Sequence, residues 1–156
     1  MYDVQTILSW KGATVHTVES TASIEHAAKA LADHDIGALV VTGAEGGTVG
    51  IVSERDILRA LIVEGAVALA RPVAEIMTCQ ITTCTPQDEL VGVMERMIEG
   101  RLRHLPVIEG GQLVGIISIR DVVRSRLEEK DREVVALRER VEKVENLLRQ
   151  IQISRL

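Results

Sequence analysis

Two short blocks hold the residues of this chain best suited to chemistry: Ser53-Glu54-Arg55-Asp56 and Ser118-Ile119-Arg120-Asp121. In each, a hydroxyl precedes a carboxylate by the spacing of a helix N-cap and its third helical position. Ser-x-x-Asp there resembles a capping box in which the shorter acid replaces Glu. Such a cap stabilises a helix by about 1 kcal/mol and needs no ligand. The same geometry also presents free backbone N–H groups and the positive end of the helix dipole to a cleft in front of it. A carboxylate in that place accepts two hydrogen bonds, which suits a vicinal ribose diol better than a phosphate. Phosphates would then need cations from elsewhere. Candidates are Arg55 and Arg120 inside the blocks, Lys11, and the run Arg101-Leu102-Arg103-His104. Capping and binding are compatible, and the basic run equally suits a solvated helix-to-strand corner.

Each block closes one copy of an internal repeat. "VGIVSERDILRAL" and "VGIISIRDVVRSR" share Val, Gly, Ile, Ser, Arg, Asp and a second Arg at matching positions. Upstream of each lies a Thr-rich extended segment. A helical pattern follows, with Ile24, Ala27, Ala28 and Leu31 in one copy and Leu90, Val93, Met94 and Met97 in the other. Next comes an apolar strand, "GALVV" or "HLPVI", then a Gly-rich turn and a second strand. The order in each half is therefore β-α-β-β-α, an α/β or α+β arrangement. Neither half is large enough to bury both faces of its sheet, so the two should pack about a pseudo-twofold axis.

The spacing predicts boundaries of 7–66 for the first repeat, 67–77 for a linker helix begun by Pro72, and 78–126 for the second repeat. A charged C-terminal helix is expected over 127–156. In it Val134, Leu137, Val141, Val144, Leu148 and Ile151 alternate spacings of three and four, the a and d positions of a coiled coil. Glu133 and Arg140 at g would face Arg138 and Glu145 at e of a parallel partner. Spacing alone also fits a helix folded back onto its own domain.

Composition excludes several classes. The 156 residues include one Trp, one Tyr and no Phe, and the net charge is −5. Bases would find no stacking platform and phosphate backbones no broad positive field, so nucleic acid is not an expected partner. The longest apolar stretch is broken at Glu64 and Gly65, well short of the roughly 20 residues that span a bilayer. "MYDVQTILSWKG" lacks the features of a secretory signal, and the expected location is cytoplasmic. Cys79 and Cys84 have no partners at metal-binding spacing, so no metal is expected. "GAEGGTVG" lacks the Lys-Ser or Lys-Thr of a P-loop, and no nucleophile-base constellation appears. The chain is expected not to be an enzyme.

The repeated unit, its Gly-h-h-Ser-x-x-Asp ending, the strands "IGALVV" and "RHLPVI" and the "EIMT" entry to the second half resemble a tandem pair of cystathionine-β-synthase (CBS) domains, a Bateman module. The resemblance spans roughly Ile7 to Arg126. It implies two related clefts that bind AMP, ADP, ATP, and in some members NAD(H) or S-adenosylmethionine, as regulatory ligands and not as required cofactors. Asp56 and Asp121 would hold ribose hydroxyls, with Ser53 and Ser118 on ribose or phosphate. Adenine would lie against Gly37, Ala38, Pro106, Met77, Thr78, Ile81 and Thr82. Arg103 and His104 occupy positions that reach phosphates. The implied role is a homodimeric sensor that signals occupancy to a regulated protein; a dimeric scaffold with empty clefts is the alternative. Ile36-Gly37 stands where the second repeat has Arg103-His104, and Glu54 where it has Ile119. The two sites should therefore differ, and the sequence leaves open which Asp shares a ligand with Arg103 and His104.

Overall fold

A computed structural model describes residues 2–12 and 14–153. The chain opens with helix α1 (Val4–Lys11), and the first repeat follows as β1 (Thr17–Glu19), α2 (Ile24–His34), β2 (Ala38–Thr42), β3 (Thr48–Ser53) and α3 (Glu54–Glu64). β1 runs parallel to β2 and β3 antiparallel to it, with Ala38 opposite Ser53. The second repeat contains α4 (Leu90–Glu99), β4 (His104–Glu109), β5 (Gln112–Ser118) and the start of α5 (Ile119–Ile153). β4 and β5 are antiparallel, with His104 opposite Ser118. Two repeats and a long C-terminal helix are the architecture expected.

The opening strand of the second repeat shrinks to one bridge. Cys84 donates its N–H to the Pro106 carbonyl at 3.1 Å and accepts from the Ile108 N–H at 2.8 Å. Thr85 and Asp88 then close a turn through the Thr85 hydroxyl and Asp88 Oδ1, 2.9 Å apart, which bends the chain away from the sheet. The linker helix expected over 67–77 is instead two 3-10 turns, Gly65–Ala70 and Val73–Glu75. Its N–H groups are directed elsewhere: Val73 donates to the Ala22 carbonyl at 2.8 Å and Ala74 to that of Ser20 at 2.9 Å.

The repeats keep separate cores. Val18, Ile24, Ala27, Leu31, Leu39, Val41, Val52, Ile57 and Val73 bury together in the first. The second gathers Leu90, Val93, Met97, Leu105, Val107, Ile117 and Val122, together with Val4, Ile7 and Leu8 of α1. Ile7, which the spacing assigns to the first repeat, thus packs with the second. α1 does for the second repeat what the linker does for the first. Val4 donates to the Asp88 carbonyl at 3.0 Å just ahead of α4, as Val73 does to Ala22 ahead of α2.

α5 continues without a break from the second repeat into the heptad segment. From Lys130 to Ile151 every residue is exposed, so the helix does not fold back on the repeats; residues 154–156 of the expected segment lie outside the described residues. No described helix is long and apolar enough to cross a membrane.

Gly50 marks where the linker closes over the first sheet. A Cβ there would stand 2.6 Å from Met77 Sδ and 3.1 Å from the Thr78 carbonyl oxygen. Backbone cannot yield as a side chain does, so Gly50→Ala should destabilise the fold by roughly 1–3 kcal/mol. Urea unfolding measures this, and an unchanged midpoint would contradict the close approach.

Candidate functional site

Both Ser-x-x-Asp blocks sit where a strand turns directly into a helix. β3 ends at Ser53, an extended residue that caps α3, and Asp56 completes the box. Asp56 Oδ2 accepts from the Ser53 N–H at 2.8 Å and from the Ser53 hydroxyl at 2.7 Å. At the second block, Asp121 Oδ2 accepts from the Ser118 N–H at 2.7 Å and its hydroxyl at 2.8 Å. The next residue of each block ties it to the strand alongside: Glu54 donates to the Gly37 carbonyl at 3.2 Å, and Ile119 to that of Arg103 at 2.9 Å. The caps form as the residues require. Each leaves its aspartate's Oδ1 without a donor among the described residues.

In front of the first block lies a cleft of about 220 Å³ walled by both repeats. The first repeat contributes Gly37, Ile51 and the Ser53–Asp56 block with Arg59; the second contributes Thr78, Gln80, Ile81, Thr82 and the Arg101–His104 run. This volume is below the roughly 300–1,000 Å³ of drug-sized pockets, so a ligand with a long tail must extend it through the mouth. Arg55, Arg59, Arg101 and Arg103 line the cleft beside only two acids, Glu54 and Asp56. None of the four arginines has a carboxylate partner among the described residues, whereas Arg71, Arg96, Arg124 and Arg126 are each paired. Arg101 stands in the left-handed region at φ 52° just past the end of α4, as Asp35 does at φ 51° past α2, so this conformation closes the helix in both repeats.

Of the residues expected on a ligand, Gly37, Ser53, Arg55, Asp56, Thr78, Ile81, Thr82, Arg103 and His104 come together here. Glu54, which stands where the second repeat has Ile119, faces the same cleft. Ala38 and Pro106 are buried in their strands, and Met77 packs against the first core, so none of the three lines it. Ser118 and Asp121 belong to the second block, and Arg120 is exposed on the first turn of α5. Lys11 sits on Asp121 instead, 2.6 Å from Oδ2, and also donates to the Ile116 carbonyl at 3.1 Å. Arg59 and Gln80 were not anticipated. Arg59 lies one turn beyond Arg55 on α3, a spacing that the block itself makes visible.

Charge environments differ between the blocks. Burial works to raise the Asp121 carboxyl, but the Lys11 ammonium and both Ser118 donors outweigh it and hold the group below the usual Asp value. Burial lowers His104, helped by Lys11 and Arg103 and opposed by Asp121, so the imidazole lies below its ordinary value of 6.5. Cys84 is an inert thiol, pushed by burial to about 12. Among the described residues no group of His, Cys, Asp and Glu could hold a metal.

The CBS domain model matches residues 13–63 and 73–128, one copy on each repeat. The chain belongs to the CBS-domain family. CBS-domain pairs are regulatory, non-catalytic modules. The mitochondrial CBS domain-containing protein CBSX3 of Arabidopsis thaliana is 37% identical over 74% of this chain, which spans 58% of that protein. The CBS-domain protein ATU1752 of Agrobacterium tumefaciens is 44% identical in its crystal structure, with a TM-score of 0.78 over 80% of this chain and 99% of its own. The CBS pair of protein MJ0100, solved with 5′-methylthioadenosine and S-adenosyl-L-methionine, is 28% identical, with a TM-score of 0.73 over 83% of this chain and 98% of its own.

His104 gives this CBS pair a pH signature. Because the folded state disfavours its proton, stability present at neutral pH is lost as pH falls through about 6.5 and below. Unfolding free energies measured from pH 7 to 5 should decline less steeply for His104→Gln than for the unaltered chain. Parallel slopes would remove His104 from the account.

Proposed function

We propose that this CBS pair senses an adenine nucleotide carrying at least one phosphate, AMP, ADP or ATP. The ribose diol rests on Asp56, and the phosphates extend past Arg55, Arg59, Arg101 and Arg103. The observation that carries this reading is the set of four unpaired arginines around a capped carboxylate with one oxygen to spare. Family membership supports an adenosyl ligand, as does the likeness to MJ0100, which is solved with two such molecules. The charge balance favours anions over the sulfonium of S-adenosylmethionine. NAD(H) fits the same electrostatics through its pyrophosphate.

Alanine at position 56 tests the ribose contact. Hydrogen bonds to a charged group contribute about 1.5–3 kcal/mol each, so Asp56→Ala should weaken ATP binding by roughly 10-fold to over 100-fold in calorimetry. The circular dichroism spectrum should stay folded. Unchanged affinity would refute the ribose role, and a chain that binds no nucleotide would be the dimeric scaffold with empty clefts.

The proposed output is a homodimer zipped by α5 in parallel. In that helix the heptad residues Val134 to Ile151 are 45 to 59% exposed, an apolar seam with nothing over it in the single chain. Val123 and Leu127, also exposed, continue the same d and a register back into the second repeat. On α3 the exposed residues Leu58, Ile62 and Val63 follow the first block just as closely. Each block therefore opens a helix whose exposed apolar residues begin within a turn of its Asp. Nucleotide would bias the dimer only by binding one packing of these helices more tightly than another. Light scattering should give twice the 17.1 kDa chain mass, and Leu137→Asp with Leu148→Asp should give a folded monomer. A monomeric unaltered chain would rule out the coil.

A further inference from the structure

The two halves are covered differently at equivalent positions. Ile51 and Ile116 each follow the repeat glycine, Gly50 or Gly115, in the strand that leads to a block. At Ile51 the linker pairs through backbone alone: the Ile51 carbonyl accepts from the Thr78 N–H at 2.9 Å, and the Ile51 N–H donates to the Thr78 carbonyl at 3.1 Å. Nothing from the linker reaches Asp56. At Ile116 the carbonyl takes its hydrogen bond from Lys11 Nζ at 3.1 Å, and the same ammonium reaches on to Asp121 Oδ2 at 2.6 Å.

Lys11 is delivered there by a fixed helix. α1 is nailed to the second core by Val4 and Ile7, both fully buried, and by Leu8. Gly115 leaves the space for it, since a Cβ at that position would lie 2.5 Å from Leu8 Cδ2. The end of α1 is clasped again by Trp10, whose ring lies under the Arg124 guanidinium at 4.9 Å. Three donors, the Ser118 N–H, the Ser118 hydroxyl and Lys11, therefore converge on one oxygen of Asp121. Among the described residues Asp56 accepts only from its own cap. Both carboxylates keep an Oδ1 without a donor among the described residues, but a diol arriving at Asp121 must displace or share with an ammonium already in contact, whereas at Asp56 no cation is bonded to the carboxylate.

We propose that the clefts are unequal because Lys11 pairs with the Asp121 carboxylate in cis and neutralises it, so that nucleotide binds at the Asp56 cleft and not at the second. This rests on reading the Ser-x-x-Asp blocks as ribose hooks. It also settles how the basic run is used: Arg101, Arg103 and His104 serve the ligand of Asp56, whose cleft they line. α1 is then a determinant of stoichiometry, and Lys11 is its acting residue.

Calorimetric titration of the full chain with ATP tests this. The unaltered protein should bind one nucleotide per chain. Lys11→Met, which keeps the aliphatic stem and removes the charge, should bind two, the second within about tenfold of the first; Lys11→Gln serves if that variant fails to fold. Adding Asp121→Ala to Lys11→Met should restore one per chain. Two sites in the unaltered chain would overturn the inference, as would one site or weaker binding in both Lys11 variants. In those cases binding that still depends on Asp56 leaves the ribose-hook reading standing. Absence of binding in every form would overturn both.

Discussion

The hydrogen bonds between a serine and the aspartate three residues on hold together everything functional in this chain. Without the capping carboxylate, the Ser53 or Ser118 N–H, where strand turns into helix, would lose its acceptor. With it, the strand-to-helix corner is fixed, and the carboxylate itself is fixed in front of the corner. The Ser53 hydroxyl and Asp56 Oδ2 are 2.7 Å apart, and Oδ1 is left without a donor among the described residues. The cleft wall, the placement of Arg55 and Arg59 on α3 and the approach of Gly37 all follow from that corner. In the proposed reading stability and recognition draw on the same atoms, so a cap serves as a binding element without adding any residue to it.

Duplication supplies two such corners, and the surrounding chain makes them different. Each repeat is incomplete at one edge and is finished by a segment from outside it: the 3-10 linker over the first, α1 over the second. The linker brings apolar side chains and backbone, and so leaves the first carboxylate to the cleft. α1 brings a lysine. Cleft charge follows the same division, with four arginines from both halves converging on one corner. That corner gathers the cleft's positive charge, and the helix that begins there carries exposed apolar residues outward.

Much of this was legible in the sequence because the repeat is literal. Ser, Arg and Asp recur in register after the same Gly-Ile strand, so the blocks, the strand order and the heptad seam could be placed from spacing alone. Other features depend on which segment crosses to which core, and that is not a local property. Val4, Ile7 and Leu8 have helical spacing, yet nothing in them says that they serve the second repeat. Lys11 reads as a free cation until α1 is seen docked. Ala38, Met77 and Pro106 were expected on adenine, but burial in strand and core removes them from the cleft. Arg59 lies outside the Ser-x-x-Asp block, and only the helix that carries it one turn on from Arg55 brings it to the cleft.

The central claim is that the capped carboxylate recognises a ribose diol, and comparison of ATP with 2′-deoxy-ATP tests it most directly. The two ligands share base, triphosphate and charge, and differ only in the hydroxyl that Asp56 is proposed to hold. The account predicts that calorimetry will find the deoxy compound bound at least about tenfold more weakly, the equivalent of one hydrogen bond to a charged group. Equal affinity for the two would contradict it and leave the Ser-x-x-Asp blocks as helix caps alone.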